Sequence, residues 1–295
     1  MEHVLTLIIS MTACLVGGIL RKDYTRRAPG GLLPVLLFNV INALACALVL
    51  FLWDGFSGAS QFTLFLGIAF GLVTALQAVT NLLALQIGPM SYTTLIVSFS
   101  TLISAVSGAL FFGESIGVSQ IVGIALMLIS FLLAVERKEG ENKTSMRWLL
   151  LCLVAFFSCG GIGVMQKIHQ SSPYRQELGA FLIIAFAACF AASAVFCLIL
   201  WRKQGKSAGF PVVSGKAGML LLGGMILCGV CAAVNNKLNL YLSGVMDSAV
   251  FFPIVNGGGL VLSTLAAVVL FRERLTPKQW IGVATGILSV LLLAI

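Results

Sequence analysis

The residues of this chain best equipped for chemistry are amides. Asn235, Asn236 and Asn239 stand with Lys237 in "AAVNNKLNLYL" (232–242), inside an otherwise apolar stretch. At 100° per residue the three amides cover about 100° of a helix surface, while Lys237 falls on the neighbouring face in register with Tyr241. A second stripe, Thr74, Gln77 and Asn81, covers about 60°. Thr94, Ser98 and Thr101 make a third, close after Tyr92. Asn39 and Asn42 are spaced i,i+3, and Asn256 precedes Gly257, Gly258 and Gly259. Isolated Ser, Thr or Cys residues in such a chain imply hydrogen bonds between helices, about 0.6 kcal/mol each in membranes. Repeated amide stripes imply a hydrated cavity for a polar solute, because an unsatisfied amide is expensive in lipid. Lys237 leaves two readings open. It is a fixed cation for a carboxylate or phosphate, or, ~8 Å from a helix end, a side chain snorkelling to the interface.

The chemistry that is missing is as informative. The interiors of the apolar spans contain no Asp, Glu or His; Glu177 and Asp247 stand at span starts, and His169 falls in a polar connection. Serine-type proteolysis needs a base beside the serine and aspartyl-type needs two embedded acids, so an enzyme is not expected. A proton-coupled exporter of cationic or drug-like compounds would want an embedded carboxylate. That class, and less so a channel, remains the alternative to a carrier of neutral or anionic solutes. The eight cysteines all lie in apolar runs, and Cys228/Cys231 has no second pair nearby, so neither metal nor cofactor is expected. Glu114 and Glu273 sit at turns, expected to cap the following helices or to pair with neighbours such as Arg274.

The elements that carry these residues must cross a bilayer. Of 295 residues 59% are hydrophobic and 9% charged, against roughly a quarter charged in soluble domains, and the mean hydropathy is +1.07. The +8 charge lies in short clusters between apolar runs, the pattern of loops near anionic lipid and not of a nucleic-acid face. Val4–Leu20 has no basic segment before it and reads as a first span, not a removed leader. At ~20 residues per crossing, ten spans are expected: 4–20, 31–53, 62–86, 91–112, 116–135, 147–167, 178–201, 216–242, 247–271 and 277–295.

The ten spans are written twice. "FGESIGVSQIVGIALMLISFLL" (112–133) aligns with "FRERLTPKQWIGVATGILSVLL" (271–292), matching Glu114/Glu273, Gln120/Gln279, Gly123/Gly282 and Ser130/Ser289 at a constant offset. "QIGPMSYTTL" aligns with "LSGVMDSAVF", and "GGILRK" with "IGVMQK". Five spans per copy is an odd number, so the second copy enters the membrane inverted, an architecture of secondary transporters. The expected fold is therefore an all-α integral membrane protein of ten transmembrane helices in two inverted five-helix repeats. The repeats comprise residues 1–136 and 148–295, joined by a cytoplasmic linker at 137–147.

With its short third-to-fourth connection, "FFGES…Q..G" and "LFRERLTPKQWIG", the chain resembles the EamA-type branch of the drug/metabolite transporter superfamily along its whole length. The resemblance implies a carrier of small metabolites working by alternating access, with a cavity lined by spans 1, 3, 4, 6, 8 and 9. "VNGGGL" (255–260) departs from the serine- or proline-containing stretch usual there. Pro253 with Gly257–Gly259 is expected to be a bend used in that motion, since each helical glycine costs ~1 kcal/mol against alanine. The candidate cavity residues are Asn235, Asn236, Lys237, Asn239, Thr74, Gln77, Asn81, Tyr92, Ser98 and Asn256.

Fifteen of the basic residues fall in the odd-to-even connections and three, Lys167, Arg175 and Lys237, on the other side. The positive-inside rule then makes the former cytoplasmic and both termini external, in a plasma membrane. The expected partners are a small-molecule substrate and the lipid bilayer, with the chain as a monomer or homodimer and no nucleic acid.

Overall fold

Ten apolar segments give ten α-helices in a computed structural model that describes residues 2–27, 31–87, 93, 96–134, 145–204, 216–271 and 276–293. The helices are α1 (Glu2–Arg27), α2 (Leu32–Asp54), α3 (Gln61–Ile87), α4 (Thr101–Phe111), α5 (Val118–Ala134), α6 (Met146–Gln170), α7 (Leu178–Gln204), α8 (Lys216–Val245), α9 (Ser248–Phe271) and α10 (Pro277–Leu293). A single 3-10 turn, Arg175–Glu177, leads into α7, and no strand occurs among the described residues. Tyr92, Thr94 and most of the 137–147 linker lie outside the described residues.

Six helical stretches are long and apolar enough to cross a membrane, in α1, α2, α3, α6, α7 and α8. Ile96–Phe111, Val118–Leu133 and Pro277–Leu293 are shorter apolar helices. Large apolar side chains such as Leu52, Phe65, Phe111, Phe157, Phe196 and Leu220 are exposed on the outside. Water does not tolerate contiguous surfaces of that kind, and lipid does. The chain is thus an all-helical protein built for membrane association.

The expected fourth span is interrupted. Residues 96–98 are helical, Phe99 and Ser100 form a turn, and α4 resumes at Thr101. Ser100, Leu102 and Ile103 each donate three residues back, to Val97, Phe99 and Ser100 carbonyls at 3.0 Å. That tighter winding breaks the regular ladder.

Two cores hold the bundle. Cys46, Leu50, Phe70, Phe181, Leu182, Ala185 and Leu240 close one between α2, α3, α7 and α8. Leu7, Met127, Phe131, Phe251, Phe252 and Leu293 close another around α5, α9 and α10. The main packed pairs are α5–α10, α2–α7, α1–α8, α3–α6, α3–α7, α2–α8 and α4–α9, followed by α4–α6 and α1–α9. In the most extensive of them, α5–α10, Ser130 Oγ donates to Gly282 O (2.7 Å) and Ser289 Oγ donates to Gly123 O (2.6 Å). An early residue of each helix meets a late residue of the other, so α5 and α10 run antiparallel. Each gives the same serine to the same glycine carbonyl of its partner.

Candidate functional site

The amides of α8 face inward. Met219, Leu220, Leu222, Ile226, Leu227 and Tyr241 are its exposed residues. On the wheel Asn235, Asn239 and Asn236 lie on the opposite side, roughly 120–180° away. There they meet α1. Asn235 Nδ2 donates to both the carbonyl and the hydroxyl of Ser10, each at 3.0 Å. Ser10 Oγ donates to Asn239 Oδ1 at 2.6 Å, and Asn239 Nδ2 donates to Asn235 Oδ1 at 3.3 Å. This closed triangle around a fully buried Ser10 ties α8 to α1. Asn236 Nδ2 satisfies itself on Ala232 O, 2.9 Å away in its own helix. Ser10 went unnoticed in the sequence because a lone serine in an apolar helix carries no periodic signal.

Lys237 departs from this group. It shares the outer face of α8 with Ile226 and Tyr241, where it pairs with Asp54 at the end of α2 and lies over the Trp53 ring, 4.1 Å from the centroid. The side chains of the pair are 18% and 24% exposed. Lys237 is thus held by a carboxylate and an aromatic ring at the end of α2, and no hydrogen bond among the described residues joins it to the amide triangle. Lys237→Met should change the unfolding free energy by under about 1 kcal/mol, as partly exposed pairs do; a loss above 3 kcal/mol in chemical denaturation would contradict this placement.

On α3 the exposed residues Leu64, Phe65, Ile68, Leu72 and Leu76 form one face, and Thr74, Gln77 and Asn81 lie opposite, all half-buried. Thr74 Oγ1 returns to Phe70 O at 2.8 Å. The α3 and α8 stripes are not joined by hydrogen bonds among the described residues. α3 packs on α6 and α7 while α8 packs on α1 and α2, so the two stripes belong to opposite halves of the bundle.

The interrupted α4 and proline-bearing α9 cross beside these stripes. Asn256 is exposed although Val255, Gly257 and Gly258 around it are buried, and its Nδ2 donates to Thr101 Oγ1 at 2.9 Å. Ser98 is half-buried just before the break in α4. Pro253 borders a small apolar gap shared with Thr101, Ala105, Ile124 and Met127. α9 runs as one helix through Pro253 and the glycines. A Cβ on Gly257 would intrude on the fully buried Met127 and one on Gly258 on the tip of Met11, whereas Gly259 meets nothing within 4 Å. The first two glycines therefore let α5 and α1 approach α9 closely, and Gly259 alone is free of any packing role.

One end of the bundle is latched by groups whose partners differ from those the sequence suggests. Glu114 pairs with Lys167, whose Nζ also donates to Met246 O at 3.1 Å; both side chains are 9% exposed. The same carboxylate accepts from the N–H of Ser248 (2.7 Å) and from its hydroxyl (3.3 Å), at the start of α9. Glu114 thus caps α9 instead of the helix that follows it, and Lys167 is a buried ion-pair partner instead of a snorkelling cation. Gly113, with φ 66°, makes the turn that swings Glu114 back, and the Glu114 N–H returns to Gly108 O at 3.2 Å. Nearby, Glu177 accepts from the N–H and hydroxyl of Ser60 at 2.9 and 2.8 Å, fastening the 3-10 turn to the start of α3. His169 sits in the last turn of α6, not in a connection. It is fully buried, its Nδ1 accepts from Gln170 Nε2 (3.2 Å), and its ring stacks on Phe181 at 4.4 Å.

At the other end, Arg21 does not belong to a loop, because α1 continues to Arg27. On the wheel it shares a face with Met11, Cys14 and Gly18, opposite the exposed Leu5, Ile8, Ile9 and Val16. Continuing the helix past Leu20 would have revealed this in the sequence. Three residues on, Tyr24 donates to Pro34 O at 2.8 Å, and burial pushes its phenol up to about 12, so it stays a neutral donor. Among the described residues no group of His, Cys, Asp and Glu could hold a metal ion.

Comparison with known proteins gives the fold and no activity. No family model matches the chain. An uncharacterized protein of Haemophilus influenzae is 22% identical over 184 residues, which is 61% of this chain and 58% of that protein. A protein crystal structure superposes with a TM-score of 0.73 at 17% identity, covering 99% of this chain and 96% of its own. The arrangement of helices is therefore one already adopted by a protein of nearly the same extent.

Proposed function

We propose that the chain is a secondary transporter of the EamA type, carrying a small polar, neutral or anionic metabolite by alternating access between two inverted five-helix repeats. The observation that carries this reading is the reciprocal pair Ser130–Gly282 and Ser289–Gly123 between antiparallel helices. A self-complementary contact of this kind is what a two-fold axis produces. Between antiparallel helices that axis lies across them, in the plane of the membrane they cross. Most of the larger packed pairs follow the same exchange, although α9–α10 and α6–α8 have no counterpart of similar extent. Swapping α1–α5 with α6–α10 turns α1–α8 into α3–α6, α2–α8 into α3–α7 and α4–α6 into α1–α9, and returns α5–α10, α2–α7 and α4–α9 to themselves.

Interrupted helices at matching positions of the two halves point to a transporter's binding region. The Phe99–Ser100 break in α4 meets that description, and it lies beside α9, a continuous helix that carries Pro253, through the Asn256–Thr101 bond. The inward stripes on α3 and α8 supply polar walls on either side. The basic residues orient the repeats with odd-to-even connections in the cytoplasm and both termini outside the plasma membrane; a green fluorescent protein fused after Ile295 should stay dark while alkaline phosphatase there is active.

Proteoliposomes holding the purified chain test the reading directly. Uptake of labelled amino acids or sugar phosphates should saturate and be accelerated by unlabelled solute inside. A large conductance that never saturates would remove the carrier and leave a pore. Within a carrier, alanine at Gly257, Gly258 and Gly259 together should slow flux per folded molecule several-fold, since the Met127 and Met11 contacts must open if α9 is to bend. Unchanged turnover would remove the bend.

A further inference from the structure

Arg21 is a cation in the wrong place for a loop residue. In a helix the Cα–Cβ bond tilts toward the N-terminus, so its side chain runs back along α1 into the protein. The guanidinium lies 5.9 Å from the centroid of Phe38, a ring that is 1% exposed. It also lies beside Cys228 Sγ, as does the Asn42 amide. Asn42 is ten residues into α2 and Cys228 twelve residues into α8, which at 1.5 Å per residue is ~15 and ~18 Å from the helix ends. The charge therefore sits inside the protein between α1, α2 and α8, at the end of the apolar stretch His3–Arg21 of α1.

Among the described residues no carboxylate pairs with it. The nearest acid on α1, Asp23, is taken by Arg27 at 2.9 Å, and Arg21 makes no ion pair among the described residues. Its Nε is enclosed without a hydrogen-bond partner, and so are the amide nitrogens of Asn42 and of Asn39 one turn away on α2. Asn39 is only 7% exposed. The surroundings offer donors: guanidinium N–H groups, the Asn42 amide, and the thiols of Cys14 and Cys228. Cys14 is exposed on this inward face, and a methyl on Gly18 would touch no atom within 4 Å, so there is open space in front of the cation. A cation enclosed among helices with no carboxylate among the described residues and an unsatisfied Nε is a candidate for a substrate path, and a planar fork of donors matches the two oxygens of a carboxylate or a phosphate.

We propose that Arg21, with Asn42, holds the oxyanion of a small solute, so that the transported metabolite is an organic acid or a phosphate ester. This rests on the carrier reading and narrows its substrate to anions. It also gives to Arg21 the role that Lys237, held by Asp54, does not fill.

Purified full-length protein in neutral detergent is titrated with inorganic phosphate and with acetate against chloride at constant ionic strength, following thermal unfolding. Phosphate or acetate should raise the unfolding temperature saturably. Arg21→Gln should weaken the apparent affinity about ten- to hundredfold, with Arg21→Lys between the two. Lys237→Gln removes the same charge from the outer face of α8 and should leave the titration unchanged. The anion should also slow maleimide labelling of Cys14, read by mass spectrometry in protein that is folded by size exclusion. No saturable shift, an equal shift in Arg21→Gln, or a shift given only by short-chain phosphatidylglycerol overturns the site; the last would make it a lipid headgroup contact. The two readings fail separately. Saturable flux of a neutral solute without any anion shift removes the anion site and keeps the carrier. An Arg21-dependent shift without solute flux keeps the site and removes the carrier.

Discussion

Glu114→Gln should lower the unfolding free energy by about 3–5 kcal/mol, the largest single loss expected in this protein. Removing one member of a buried pair strands the other charge, which is worse than never having had the pair. Here the stranded charge is Lys167, with a side chain 9% exposed and a single remaining acceptor at Met246 O. The neutral amide also weakens the cap on Ser248 N–H, since a charged acceptor at a helix start is the stronger one. Chemical denaturation of purified protein measures the loss. Adding Lys167→Met to Glu114→Gln should restore part of it, because the double variant buries no charge. If Glu114→Gln cost under 1 kcal/mol, water would have to reach the latch freely, and the 9% exposure would be misleading. Gly108→Ala probes the same latch from the other side: its Cβ would displace the Glu114 carboxylate and press on Ser248 Cβ at 2.7 Å.

Gly71→Ala should cost about 3 kcal/mol, near the upper end for overpacking. A Cβ there drives into the carbonyl of Ala185 and stands 2.9 Å from Ala188 Cβ, so α3 must part from α7. Backbone cannot swing aside as a side-chain tip can. Gly161, on α6, has nothing within 4 Å of the same added atom, so Gly161→Ala should stabilise by up to ~1 kcal/mol through helix propensity alone. Opposite signs for two glycine-to-alanine changes, measured in one denaturant series, would establish that the bundle is held by close backbone approach. Equal small losses would show that α3 and α7 have slack between them.

Much of the architecture was legible in the residues. Spans 2, 3, 6, 7 and 8 fall within a few residues of α2, α3, α6, α7 and α8, because lipid imposes a length and a composition that a hydropathy pattern states directly. The Ser130/Ser289 and Gly123/Gly282 identities, noticed as a repeat, are the same atoms that pair between α5 and α10. The inward faces of α3 and α8 were also readable, since helical period fixes which residues share a side. Other features were not. The break at Phe99–Ser100 sits in an apolar run with neither glycine nor proline to announce it. The first span was ended at Leu20 by its charges, so Arg21 was counted with the loop, although a helix continues through a cation when the interior gives it room.

The sequence by itself determined that this chain is a stack of apolar helices and which of their faces carry amides. These are matters of composition and period, both local. Only the tertiary structure decided the partners: Asn235 and Asn239 on Ser10, Lys237 on Asp54, Lys167 on Glu114, and Arg21 on Phe38 and Cys228 with no carboxylate among the described residues. A charge in a membrane protein takes its role from what stands opposite, often more than a hundred residues away, and no spacing along the chain encodes that. Lys237, Lys167 and Arg21 look alike as letters; a neighbouring carboxylate makes the first two ion-pair partners, and the third meets an aromatic ring and a thiol instead.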